Sequence, residues 1–147
     1  MKNLVLAITL ACAAVHAPWA AAQSPTWFAV VGEPGNPLLD TVEVDAASAV
    51  AFETMRLVKL RVNRAAPRTG FDGLEFRSYY ATIMVDCAGM KAWHRTLSLF
   101  SEPLWHGQMR LLEYKESDGR SVAFADMSTN PRDRLIKAAC SVALQSR

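Results

Sequence analysis

Apolar and polar positions alternate with a period of two through much of the chain, the pattern of strands with one buried face. Val58, Leu60 and Val62 share one parity and Lys59, Arg61 and Asn63 the other, which predicts a half-buried strand with a basic outer face. Over about 74–87, Tyr79, Ala81, Ile83, Val85 and Cys87 form the more apolar side, against Ser78, Tyr80, Thr82, Met84 and Asp86. Shorter runs at 26–31, 39–45, 90–100 and 108–116 predict further strands. In 90–100 the split is imperfect: Trp93, Arg95, Leu97 and Leu99 oppose His94, Thr96, Ser98 and Phe100. Asp45–Ser48 reads as a tight bend, 65–73 as a loop and 102–107 as a turn. The stretch 116–119 reads as a hairpin-type turn into a last extended run, 120–126.

The period changes after Asn130-Pro131, a pair suited to starting a helix, since Asn can cap backbone N–H groups and Pro fits the first turn. Leu135, Ile136, Ala139, Cys140, Ala143 and Leu144 recur at spacings of three and four and form one helical stripe. Cys87 therefore belongs to the apolar face of a sheet and Cys140 to the apolar face of a helix. Laying that helix across the sheet joins the two faces, an α+β arrangement of about six antiparallel strands with a C-terminal helix on one face.

The first residues change the picture of where this fold works. Lys2, the uncharged apolar run Leu4–Val15, Pro18 and the small residues Ala20–Ala22 follow the order of a secretory signal peptide over 1–22, cut near Ala22 and Gln23. The run is short of the roughly 20 residues that a membrane-spanning helix needs. A competing reading makes Cys12 a lipid-anchored cysteine, although Thr9 stands where that motif wants Leu. Cleavage leaves about 125 of the 147 residues, one domain over 24–147.

Either route removes Cys12 from the three cysteines and leaves Cys87 and Cys140. In an oxidising compartment two thiols most simply form one bridge. A Cys/His nucleophile pair stays open, because such partners meet only in the fold. Losing Lys2 lowers the formal net charge from +2 to +1, so no global attraction to nucleic acid or anionic membrane is expected.

Early Trp27, the bend of Asp45 and Ser48, a basic strand, Arg77-Ser78 leading to Cys87, an aromatic-bearing strand and a helix ending at Cys140 occur in an order that resembles the surface-adhesin protein E family. The resemblance spans about Trp27 to Cys140. It implies a curved antiparallel sheet with the C-terminal helix tethered to one face by a Cys87–Cys140 disulfide. It also implies an exported protein in the periplasm or on the outer surface of a Gram-negative bacterium, with extracellular-matrix or envelope proteins as partners. Two positions depart from the family pattern: Phe124 stands where a Trp is usual before the helix, and the basic strand lacks a Trp near its start.

Candidate contact residues are Arg56, Lys59, Arg61, Arg64 and Arg68, suited to a polyanion, a matrix protein or a haem propionate, or else simply a solvated strand face diluted by Glu53. Trp105, between a Pro and a Gly, is a candidate loop aromatic for a partner. Trp93-His94 and Trp105-His106 place imidazoles beside aromatics, which gives His94 and His106 as the alternative haem or metal ligands. No cofactor is otherwise expected. The sequence has no G-x-S-x-G, phosphate-binding glycine loop or H-E-x-x-H, and Asp40, Asp45 and Asp86 are scattered. A noncatalytic binding domain is the first expectation; a haem or metal binder and a structural envelope module without a ligand are the alternatives.

Overall fold

The structure, a computed structural model, describes residues 25–124 and 126–144. The expected signal segment, its cleavage near Ala22 and Gln23, and Cys12 lie outside the described residues. Six antiparallel strands form one open sheet in sequence order: β1 (Trp27–Val31), β2 (Thr41–Phe52), β3 (Met55–Thr69), β4 (Glu75–Asp86), β5 (Lys91–Phe100) and β6 (Met109–Glu113). One helix, α1 (Arg132–Ser141), follows. Each strand pairs with the next through a short connection, so every neighbour relation is local in sequence.

The expected parity of β3 and β4 holds on the helix side. Val58, Leu60, Val62, Tyr79, Ala81, Ile83 and Val85 are all buried, together with Val42 and Val44 of β2. Leu135, Ile136 and Ala139 of α1 close over this face, and the disulfide Cys87–Cys140 ties the end of β4 to the last turn of the helix. Phe124, at the position where the family pattern prefers Trp, is fully buried and fills the same core. Asn130 accepts the Arg132 N–H through its side chain at 3.0 Å, as a helix-starting Asn should. At the other end, Arg56 donates to the carbonyls of Ala139 and Val142 at 3.2 and 2.7 Å, where the helix dipole favours a cation. The helix ends at Ser141, short of the expected stripe, and Leu144 is exposed.

Four expectations are refined or corrected. At Asp45–Ser48 the Asp45 carboxylate accepts the Ala47 N–H and the Ser48 hydroxyl donates to Asp45 O, as a bend there requires. The stretch nevertheless stays inside β2 as a bulge: the register on β3 shifts between Asp45 and Val50 and the ladder then resumes. The segment 65–73 is strand up to Thr69, again past a register shift. In β5 the pairing jumps from Thr82↔Thr96 to Ile83↔His94, so Arg95 is an extra residue. A single insertion flips parity, which places buried Ala92 and His94 on the side of Leu97 and Leu99 and explains the imperfect alternation. Finally, 116–119 is not a hairpin turn. β6 runs antiparallel to β5, makes a short 3-10 detour at Glu116–Asp118, and returns in the same direction, with Ser121 paired to Trp93. His94 N–H and Val122 N–H bond Arg120 O (2.8 Å) and Ala92 O (2.9 Å). The expected strand at 120–126 is thus one bridge on the edge of β5, although Val122 and Phe124 alternate into the core as its pattern requires.

Candidate functional site

The helix covers one face of the sheet. On the other face the side chains of β1 to β5 make an aromatic and cationic cluster. Arg61 is its centre: the guanidinium carbon lies 4.6 Å from the Trp27 ring and 4.4 Å from the Trp105 ring. Glu43, directly across the ladder on β2, holds the guanidinium in a fork at 2.7 and 2.9 Å. Such two-point carboxylate pairing fixes the plane of an arginine, and each ring face adds about 0.5–2 kcal/mol depending on desolvation. Tyr80, opposite Arg61 on β4, stands 5.3 Å from Trp105 and 6.0 Å from Trp27, with Phe100 edge-on at 5.9 Å.

Trp105 reaches this cluster because the turn that carries it is pinned from below. Leu104 and Trp105 both have positive φ, 53° and 64°, a costly conformation for residues with a Cβ. Gly107 follows at φ 78°, where a Cβ would run into Ser101 and Glu102. Two fully buried polar residues hold the turn. Asn63 accepts the Leu104 N–H at 2.9 Å and donates to Leu39 O at 2.8 Å. Ser78 accepts the Trp105 N–H at 2.8 Å and donates to Glu102 O at 2.6 Å. The indole N–H donates to Tyr79 O at 3.3 Å. Asn63 is therefore a clamp and not part of a solvated face.

The basic set divides by what each side chain already holds. Lys59 is exposed beside the cluster, in a shallow depression of about 430 Å³ shared with Trp27, Asp45, Tyr80, Thr82, Thr96 and Ser98. Arg61 sits in the cluster. Arg56 is committed to the end of the helix. Arg64 is buried and paired with Asp40 and Asp126 at 3.0 and 2.9 Å, and Arg68 reaches Asp126 at 2.7 Å. Burial raises the Asp126 carboxyl, but the Arg64 charge and hydrogen bond outweigh it, and the net shift is downward.

The two histidines are not gathered. His106 is exposed in the Trp105 turn, whereas His94 is buried on the helix side of the sheet, with Tyr79 and Phe71 edge-on to its ring at 6.2 and 6.4 Å. Burial pushes the His94 pKa down to about 4, so the ring is neutral at ordinary pH. Among the described residues its Nδ1 has no hydrogen-bond partner. It lines a pocket of about 170 Å³ with Phe76, Tyr79, Leu97, Leu99 and the ion-paired end of Arg64, Arg68 and Asp126. The carboxylate in this pocket is committed to two arginines, so it is not placed to orient His94 as a base. Among the described residues no group of three or more His, Cys, Asp or Glu is arranged to hold a metal ion.

Strand parity put Tyr80 outward, yet only Arg61 and Trp105 of the cluster were candidates from sequence. Trp27, Glu43 and Tyr80 lacked a signal because their meeting depends on register across three strand pairs. The family model described as surface-adhesin protein E matches residues 27–141 of the chain, from the first residue of β1 to the end of α1. No curated protein and no solved structure matches.

Proposed function

Because the chain belongs to the surface-adhesin protein E family, we propose that it is a noncatalytic exported domain that binds an extracellular-matrix or envelope protein through the sheet face opposite the helix. The observation that carries this reading is the Arg61 guanidinium over the Trp27 and Trp105 rings on the sheet face opposite α1. Tryptophan, tyrosine and arginine dominate the energetic centres of protein interfaces. Here they are already ordered by Glu43, Asn63 and Ser78, so little side-chain entropy is left to lose on docking. Lys59 beside the cluster supplies an exposed cation for an acidic patch on the partner. Among the described residues no helix is long and apolar enough to cross a membrane. The proposed location is the periplasm or the outer surface of a Gram-negative bacterium, with lipid attachment at Cys12 as the alternative to signal cleavage; cell fractionation separates these fates.

The test is capture of purified matrix proteins and of the bacterium's own envelope fraction by the exported domain. Trp105→Ala and Lys59→Glu should each weaken capture at least about tenfold, the effect expected of a central contact, while Phe71→Ser on the opposite side leaves it unchanged. Equal capture by all three, with folding checked by circular dichroism, would remove this face from consideration. The haem or metal reading draws less support, since His94 and His106 share none of the described pockets. A Soret shift on adding haem, lost in His106→Ala or His94→Gln, would favour it instead. The third alternative, an envelope module without a ligand, predicts no capture at all.

A further inference from the structure

We propose that the helix-side pocket of His94 binds a small single-ring aromatic carboxylate, independently of the partner-binding face. The pocket lies between β4, β5, the loop at Gly70–Phe71 and the extended segment through Ser121 and Ala123. Its volume, about 170 Å³, is close to that of an apolar cavity of roughly 150 Å³ that holds one benzene ring. It is too small for a porphyrin. Phe76, Tyr79, Leu97 and Leu99 form the apolar wall, and Phe76 meets Tyr79 edge-on at 5.8 Å, which leaves ring faces and edges for a further aromatic.

The polar groups are arranged at two places on that wall. Of the charged residues that line the pocket, two are cationic, Arg64 and Arg68, and one is anionic, Asp126. Arg64 is tied to both carboxylates: Nε bonds Asp40, one terminal nitrogen bonds Asp126, and the other lies 2.9 Å from Asp126 as an ion-pair contact without a hydrogen bond. Arg68 touches Asp126 through Nε alone. Among the described residues, nothing bonds its two terminal nitrogens, so a carboxylate can take both in a fork. The second place is His94, 5% exposed, whose buried Nδ1 has no partner among the described residues. A buried polar atom left alone is uncommon in folded proteins. As a neutral ring it offers one donor and one acceptor, which suits a hydroxyl or amino group on the ligand ring.

Phe71 is an exposed member of the lining. It is 55% exposed, yet its ring packs edge-on against His94 and against Tyr114 at 6.0 Å, under the Arg120 guanidinium at 5.1 Å.

The experiment is a titration of the exported domain with benzoate, 4-hydroxybenzoate and benzyl alcohol, followed by NMR shifts of the pocket residues. Benzoate should give saturable shifts confined to Phe71, Phe76, Tyr79, His94, Leu97 and Leu99, and benzyl alcohol should bind about tenfold more weakly. Arg68→Gln, at a partly exposed position, should remove the preference for benzoate without moving the benzyl alcohol affinity. His94→Phe should remove any gain from the ring hydroxyl. No saturable shift, equal affinity for the charged and neutral probes, or shifts centred on Trp27 and Trp105 would each overturn the proposal. Should either variant fail to fold, the comparison of benzoate with benzyl alcohol on the natural chain decides alone. Failure here leaves capture by the opposite face untouched, because no pocket residue belongs to that cluster.

Discussion

Asn63 shows how much one side chain can decide. Strand parity makes it look like a solvated neighbour of Lys59 and Arg61, but it is fully buried and bridges the loop before β2 to the turn after β5. Asn63→Ala leaves the Leu104 N–H and the Leu39 carbonyl without partners, at a cost of about 2–3 kcal/mol. The near-UV circular dichroism of the tryptophan cluster should collapse while the far-UV signal persists; an unchanged near-UV spectrum would mean that Trp105 is held by other means. His94 makes a second residue-scale prediction. Its imidazole takes a proton near pH 6.5 in the unfolded chain and only near 4 when folded. The folded pKa is depressed, so its contribution is complete above 6.5 and is lost as pH falls. Stability should drop by about 3 kcal/mol between pH 6.5 and 4. In His94→Gln, denaturant unfolding measured across that window should lose this slope while the slope from carboxylates at lower pH stays.

At the scale of elements the bridge between β4 and α1 is the main constraint on a helix of only 10 residues, too short to be stable alone. Cys87 and Cys140 are 53 positions apart, and in the chain-entropy account closing such a loop stabilises by about 4 kcal/mol. Cys140→Ser, or reduction, should lower the melting temperature by well over ten degrees, given about 4–8 °C per kcal/mol in a small domain. Free-thiol titration of the native protein should find neither Cys87 nor Cys140 reactive. Two reactive thiols, or a melting point indifferent to reductant, would contradict the tether. The strands themselves were legible because alternation over ten residues reports burial directly. Their irregularities were not. A bulge at Arg95, or the detour at Glu116–Asp118, depends on what the neighbouring strand presents, and no local pattern encodes that partner.

For the whole molecule, sequential pairing of neighbouring strands makes β3 and β4 the centre of the sheet and leaves β1 and β6 as edges. Native-state hydrogen exchange should find the slowest amides in β3 and β4, opening only with global unfolding, and the fastest strand amides in β6. Equal protection across all six strands would mean that the edges are covered by something outside the described residues. The two faces then divide the work: one buries the core under α1, and the other displays the cluster around Arg61. The strand-rich class and the terminal helix followed from the sequence alone, since periodicity is a property of a chain read in one dimension, and the order of landmark residues gave the resemblance to the family that implies the Cys87–Cys140 tether. Which residues converge was decided only by tertiary structure. Trp27, Glu43, Arg61, Tyr80 and Trp105 lie on different elements, and Phe71, Tyr79, His94 and Arg68 are likewise scattered along the chain. Their meeting depends on register, and register is set by side chains packing across strands, a relation that the linear pattern does not contain.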